Sequence, residues 1–193
     1  MDRAEQTLER LHAIKRLVRL INDLLDIAKI EAGKISLKRE PVDLVEVSKE
    51  VLLYYKSKVE KRGIAMRVVA ADRPVFVSAD RDLLLQVLEN LVGNAVKFTE
   101  KGFIEISIVE KESVAECNIS DSGCGIEEKN LPKVFEKFQQ FASPSSGSEK
   151  GTGLGLAISK AVVEAHHGKI WVTSRPGHGT IFSFVIPREI TPG

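Results

Sequence analysis

Asp80-Arg81-Asp82-Leu83-Leu84-Leu85-Gln86-Val87-Leu88-Glu89-Asn90-Leu91-Val92-Gly93-Asn94-Ala95-Val96-Lys97-Phe98 is the stretch on which the reading of this chain turns. It reads as a helix from about Asp80 to Phe98. Asn90 and Asn94 stand four apart and so share one face, with Lys97 and Phe98 near the end. Asparagine is a poor residue for a helix interior, and one reason to keep two is ligation. A neutral amide oxygen can fill one Mg²⁺ position while phosphates and waters fill the others. The plainer alternative is two solvated asparagines on an exposed face.

Downstream of this helix lie three glycine clusters. Asp121-Ser122-Gly123-Cys124-Gly125 follows a predicted strand, Gly151-Thr152-Gly153-Leu154-Gly155-Leu156 opens a helix, and Gly177-His178-Gly179-Thr180 precedes the last strand. Alternating glycines let backbone pass close to a ligand, and amides at a helix N-terminus bind phosphate. The middle cluster is not a P-loop, because no Lys followed by Ser or Thr comes after it. Nor is it a convincing dinucleotide fingerprint, since no βαβ unit surrounds it.

Around these motifs the hydrophobic period changes repeatedly. Ile35, Leu37 and Arg39 predict a short strand, and Asp43 with Glu46 resembles a capping box at the start of a helix running to Val59, ahead of Gly63. Ile64 to Val69 and Val75 to Val77 read as strands joined by the Asp72-Arg73-Pro74 turn. Phe103 to Val109 and Val114 to Ser120 alternate like an antiparallel pair. A short helix is expected from Glu127 to Phe138, loop composition over 139–151, a helix from Leu154 to His166, and strands at Lys169 to Thr173 and Thr180 to Ile186. Strand pairs close in sequence argue for an α+β fold, a two-layer α/β sandwich with a mixed, mostly antiparallel sheet under helices.

Composition bounds the rest. The 193 residues are 43% hydrophobic and 28% charged, a globular mix, and the formal net charge of +1 gives no basic field for nucleic acid. The longest unbroken apolar run is the five residues Val51 to Tyr55, against the roughly 20 that a bilayer-spanning helix needs. The charged first residues lack the apolar core of a secretory signal. Two cysteines, Cys117 and Cys124, make neither a zinc site nor a disulfide framework, so a reducing, cytoplasmic setting is expected.

The first 33 residues read differently. Leu11, Ile14, Val18, Ile21, Leu25, Ala28 and Ala32 recur at spacings of three and four, Leu17, Leu24 and Ile27 widen the stripe, and Gly33 ends it. A helix of about 30 residues spans roughly 45 Å. It cannot bury so wide a stripe alone, so a bundle or dimer is expected in preference to packing on its own domain.

Taken together, these segments resemble the sensor histidine kinases of two-component systems. Gln86 to Thr99 is similar to that family's asparagine box, and Asp121 to Ile126 to its first glycine box. Phe135-Glu136-Lys137-Phe138 resembles the phenylalanine box, Gly151 to Leu156 the second glycine box, and Gly177 to Thr180 the last. Leu20-Ile21-Asn22-Asp23-Leu24-Leu25-Asp26 with Ile30-Glu31-Ala32-Gly33-Lys34 resembles the end of the second helix of the dimerisation domain.

The resemblance implies the Bergerat ATP-binding fold, with 1–34 as part of a dimerisation domain, 35–190 as the catalytic ATP-binding domain and 191–193 as a tail. It implies ATP and Mg²⁺ as cofactors. Asp121 would hydrogen-bond the adenine amino group, Asn94 would ligate Mg²⁺, and Asn90 and Lys97 would contact phosphates directly or through the metal. Phe98, Gly123, Gly125, Ile126, Leu154 and Leu156 would line the nucleotide, and Thr180 would sit by the adenine. Gly151, Thr152, Gly153 and Gly155 would bring amides to the phosphates. Residues 139–150 would form a mobile lid, with Phe135 and Phe138 at its base or in the core. Where the family carries a basic residue after the phenylalanine box, this chain has Gln139 and Gln140, and Lys150 is the candidate substitute. The implied partners are a second protomer through the N-terminal helix and a response-regulator receiver domain.

The family's phospho-acceptor motif, a His followed by an acidic residue and then a Pro, has no match. His12 is followed by Ala13, Ile14 and Lys15, His166 and His167 end a helix where a cationic or capping role suffices, and His178 lies in a turn. The expectation is a piece of a kinase that starts after the acceptor helix and does not phosphorylate itself. Two alternatives stand beside it. ATP-hydrolysing relatives of the gyrase, mismatch-repair and chaperone type carry a water-activating Glu one turn before the metal-binding Asn. Asn90 occupies that place here, and Glu89 points about 100° away. The other alternative is a non-catalytic dimerisation or regulatory module.

Overall fold

A computed structural model describes residues 36–140 and 152–188, together with Ile14, 17–18, 21–25, 27–28 and Ala32 of the N-terminal stretch. The chain divides into two compact units, Met1–Ile35 and Ser36–Gly193. In the first, the described residues from Ile14 to Ala28 are helical. Ile14, Leu17, Val18, Ile21, Leu24 and Leu25 leave between 49% and 58% of their surface exposed, whereas Ile27 is buried. Leu11, His12 and Gly33 lie outside the described residues.

The second unit runs β1 (Glu40–Asp43), α1 (Leu44–Glu60), β2 (Ile64–Val69), β3 (Phe76–Ala79), α2 (Arg81–Phe98), β4 (Gly102–Glu110), β5 (Val114–Asp121), a 3-10 turn (Glu128–Lys133), α3 (Gly155–Ala165), β6 (Lys169–Ser174) and β7 (Thr180–Pro187). Five strands form one sheet in the order β2-β4-β5-β7-β6, parallel only between β2 and β4. The three helices cover one face of it, with α2 between α1 and α3.

The strand period of two makes the core. Ala115, Cys117 and Ile119 point under the helices, opposite Ile186, Phe184 and Phe182 of β7, and Ile106 and Ile104 of β4 continue the rows. From α2, Leu84, Val87, Leu88, Leu91 and Val92 close the layer. The same alternation carries the polar residues at the strand ends inward. Asp121 is paired with Thr180, and Thr180 with Ser174. These three therefore form a polar row along one end of the buried face.

Both ends of α2 are fixed. The Asp80 carboxylate caps it by accepting from the Leu83 amide at 3.2 Å. At the other end the Arg62 guanidinium donates to the Val96 carbonyl at 2.6 Å and to the Thr99 carbonyl, which satisfies orphan acceptors where cations are favoured. His166 is fully buried. It accepts from the Asp80 amide at 2.9 Å through Nε2, so its Nδ1–H donates to the Val162 carbonyl at 2.8 Å. Burial pushes its pKa down. Of the cationic or capping role expected for His166, the capping half holds, since His166 is the C-cap of α3, and the cationic half is corrected: it is a neutral ring joining the ends of α2 and α3.

Three further expectations change. Of the strand expected from Ile35 to Arg39, Ile35 lies outside the described residues and residues 36–39 form no strand; the strand lies at Glu40–Asp43, where β1 pairs with β3. Ahead of it, the Lys38 amide donates to the Asp80 carboxylate and the Arg39 guanidinium to the Ala165 carbonyl. Residues 64–69 and 76–79 do not pair with each other: β2 joins β4 and β3 joins β1. The helix expected from Glu127 to Phe138 is a 3-10 turn over Glu128–Lys133, with Pro132 inside it and unable to donate to a longer ladder. The Asp43 cap forms as expected, accepting from the amides of Val45 and Val75, each at 3.0 Å.

Candidate functional site

The polar row Asp121–Thr180–Ser174 is one wall of the site. Asp121 is 7% exposed and Thr180 6%. Desolvation raises the Asp121 pKa to about 6, although the backbone amides of Gly123 and Thr180 act against it. The Gly123 amide donates to the carboxylate at 2.8 Å. Ser174 Oγ makes three contacts: it accepts from the Ile126 amide at 2.9 Å, donates to the Gly179 carbonyl at 2.7 Å, and lies 3.1 Å from the Thr180 hydroxyl. The Gly177 amide donates to the Cys124 carbonyl at 2.8 Å, so the loops 121–126 and 174–180 are sewn together.

Two glycines permit this crossing. Gly179 has φ +82°, and a Cβ there would fall 1.9 Å from the Asp121 carbonyl oxygen. A Cβ on Gly123 would fall 2.5 Å from the carbonyl oxygen of Phe98, so the loop also abuts the end of α2. Lys97 lies there, its Nζ 5.0 Å from the centroid of the Phe98 ring.

The second wall is α2 against the start of α3. Asn90 Nδ2 donates to the Gly155 carbonyl at 3.3 Å and to Ser159 Oγ at 3.4 Å, and Ser159 Oγ donates to the same carbonyl at 2.9 Å. Asn94 lies one turn on, half-buried on the same helix. Glu89 is exposed, and its carbonyl accepts from the Tyr55 hydroxyl at 3.5 Å. Thr152 Oγ1 accepts from the Leu154 amide at 3.2 Å just ahead of α3, where Leu154 is buried and Leu156 half-buried. The Phe138 amide donates to the Gly153 carbonyl at 2.8 Å. Phe138 itself is 64% exposed and is not a core residue, whereas the Phe135 ring packs edge-on to Phe182. Lys150 and Gly151 lie outside the described residues, as do residues 141–149. A shallow, apolar cavity of about 200 Å³ bounded by Ala65, Met66, Arg67 and Phe103 lies by β2 and β4 and includes none of these groups.

The arrangement thus sets a buried carboxylate and hydroxyl on the sheet side, paired asparagines and a lysine on α2, and a glycine-rich approach to the α3 N-terminus. The fold and these motifs match a known family model, the histidine kinase-, DNA gyrase B-, and HSP90-like ATPases, over residues 79–190, more than half of the chain. The chain belongs to this ATPase family. Within it, several of the proteins it resembles are histidine kinases. The sensor protein KdpD of Clostridium acetobutylicum is 41% identical over 90% of this chain and 19% of its own length. The sensor histidine kinase WalK of Bacillus subtilis is 34% identical over 90% of this chain and 29% of its own. The solved catalytic domain of the histidine kinase ThkA is 33% identical, with a TM-score of 0.69 over 78% of this chain and 98% of that one. Full-length ShkA in complex with AMPPNP superposes with a TM-score of 0.86, at 27% identity over 100% of this chain and 40% of that one. The chain spans less than a third of the length of these two curated relatives. Among the described residues, no helix is long and apolar enough to cross a membrane.

Ser174 and Ser159 are the residues that motif reading missed. Only Ser174 left a signal: counting back across the Gly177–Gly179 turn places it opposite Thr180.

Proposed function

We propose that this chain is the catalytic ATP-binding part of a sensor histidine kinase, acting in the cytoplasm. It would deliver the γ-phosphate of ATP to a histidine on a dimerisation helix, for relay to an aspartate of a response regulator. What supports this reading is the buried Asp121–Thr180 pair at one end of the sheet, taken with Asn90 and Asn94 one turn apart on α2. The Asp121 carboxylate would accept from the adenine amino group, and Lys97 would bear on the phosphates. Asn90 would hold α3 in place for its amides to meet them.

Magnesium fits this donor set. Among the described residues no cluster of three or more His, Cys, Asp or Glu side chains stands ready to cage a metal, so the ion would arrive with the nucleotide and take the Asn94 amide oxygen as one ligand. When bound, it would neutralise charge across the phosphates, which is most of what phosphoryl transfer asks of a protein. Hydrolysis is disfavoured because Asn90 stands where a water-activating Glu would be needed and Glu89 faces solvent. The exposed stripe from Ile14 to Leu25 supports pairing with a second protomer. The complex of ThkA with its response regulator TrrA is a precedent for the relay partner.

Calorimetry with ATP tests the reading. Asn94→Ala should weaken Mg²⁺-dependent binding by about 1–3 kcal/mol, the scale for a lost buried polar or charged contact. Equal affinities for mutant and parent, with and without Mg²⁺, would remove the metal role. Incubation with γ-labelled ATP should leave no acid-labile label on the chain.

A further inference from the structure

Ser174 lies at the end of β6, outside every glycine, asparagine or phenylalanine motif, yet the loops 121–126 and 174–180 meet at its one oxygen through three contacts. Its hydrogen-bond capacity fixes the direction of each contact. A serine hydroxyl has one proton and two acceptor positions. The Gly179 carbonyl can only accept, so at 2.7 Å it takes the Ser174 proton. The Ile126 amide can only donate, and at 2.9 Å it fills one acceptor position. One acceptor position remains for the Thr180 hydroxyl at 3.1 Å, and Thr180 must therefore be the donor. With its proton spent on Ser174, Thr180 Oγ1 can only accept from anything else that approaches. Its strand partner Asp121 is a carboxylate on the same face.

We propose that Ser174 is a specificity-determining residue. By drawing the Thr180 proton away from the site, it leaves Asp121 and Thr180 as an acceptor-only wall, which takes a base bearing an exocyclic amino group and rejects one bearing a carbonyl there. This rests on the reading above that Asp121 and Thr180 face the base. Ser174 need not touch the nucleotide, because it acts through the Thr180 hydroxyl. Without it, that hydroxyl can rotate and donate, and a carbonyl opposite it gains a hydrogen bond in place of a repulsion. The Ile126 amide also loses its acceptor, but that cost falls on every nucleotide alike and cancels in a ratio.

The test is calorimetry of the whole chain with Mg²⁺ and two probes, ATP and inosine triphosphate, which carries a carbonyl in place of the adenine amino group. The unmodified chain should prefer ATP. Ser174→Ala should lower the ATP-to-inosine-triphosphate affinity ratio by about tenfold, chiefly by tighter binding of the inosine nucleotide. Ser174→Thr keeps the hydroxyl on a strand that suits β-branched residues and should restore the ratio. Equal weakening of both nucleotides in Ser174→Ala, with the ratio unchanged, would reduce Ser174 to packing and overturn the proposal, while the reading of the site would stand. Should Ser174→Ala not fold, Thr180→Val removes the same hydroxyl pair from the other side, and an unchanged ratio there overturns the proposal equally. An unmodified chain that binds neither nucleotide, or both alike, would sink the assignment of Asp121 and Thr180 to the base, and this proposal with it.

Discussion

Asp121→Asn should make the domain more stable and its nucleotide binding nearly independent of pH. Burial raises the Asp121 pKa from 3.8 to about 6. The folded state thus holds a proton that the unfolded chain gives up between those values. The stability contributed by the protonated form is complete below pH 3.8 and lost as pH rises through about 6. At pH 7 the carboxylate is ionised at a cost of order 1–3 kcal/mol to folding, which a neutral isostere avoids. The melting midpoint of Asp121→Asn should exceed that of the parent at pH 7, by about 2–4 °C for each kcal/mol recovered. Binding responds in the opposite sense. If only the ionised carboxylate accepts the adenine proton, the ionised fraction falls about tenfold between pH 7 and pH 5, and ATP affinity falls by about the same factor. The nucleotide's own protonation affects both proteins and cancels when the parent is compared with Asp121→Asn. Calorimetric titrations of both proteins at pH 5, 6 and 7 would show the difference, alongside thermal melts at each pH. A parent affinity that tracks the variant across this range would refute the reasoning, because Asp121 would then carry no proton-linked contact with the base.

His166→Gln should lose about 1–3 kcal/mol by disturbing the contacts to the Asp80 amide and Val162 carbonyl. Because burial lowers the His166 pKa, the folded state keeps the ring neutral, and parent stability should drop as pH falls below 6.5. Urea midpoints at pH 7.5 and 5.5 should show a smaller drop for the variant. Phe184→Ala removes a fully buried ring between Cys117 and Ile170 and should cost about 3–5 kcal/mol in chemical unfolding. Ile21→Glu places a charge in the exposed N-terminal stripe. It should abolish concentration-dependent self-association in sedimentation while nucleotide affinity is unchanged.

The placing of Asn90 and Asn94 on one face of α2 was legible in the sequence because a four-residue spacing means one helix face wherever a helix forms. Asp121 and Thr180 were legible as motif members, and strand alternation explains their burial: each continues a row of inward apolar residues by one more step of two. The rest depended on registers that no local pattern encodes. Ser174 acquires its role only when β5, β6 and β7 align. His166 reads as a helix-end residue until Asp80, 86 positions earlier, folds back onto it. The pairing of β2 with β4 was missed for the same reason, since the obvious turn between Ile64 and Val77 suggested a hairpin that does not form.

That parallel pair bears on how the domain assembles in time. β6 and β7 are joined by only residues 175–179, so their ladder can close early and locally, and with it the contact between Ser174 and Thr180. β2 has no such neighbour in the chain. Residues 70–101, with all of α2, separate it from β4, its only sheet partner among the described residues, and it lies on the outer edge. It should dock late and open first, so its backbone amides should exchange with deuterium well before those of β5 and β7 in the sheet interior. The Asp121–Thr180 wall would then persist through excursions in which the far margin of the sheet comes undone, and the two regions would show different degrees of protection.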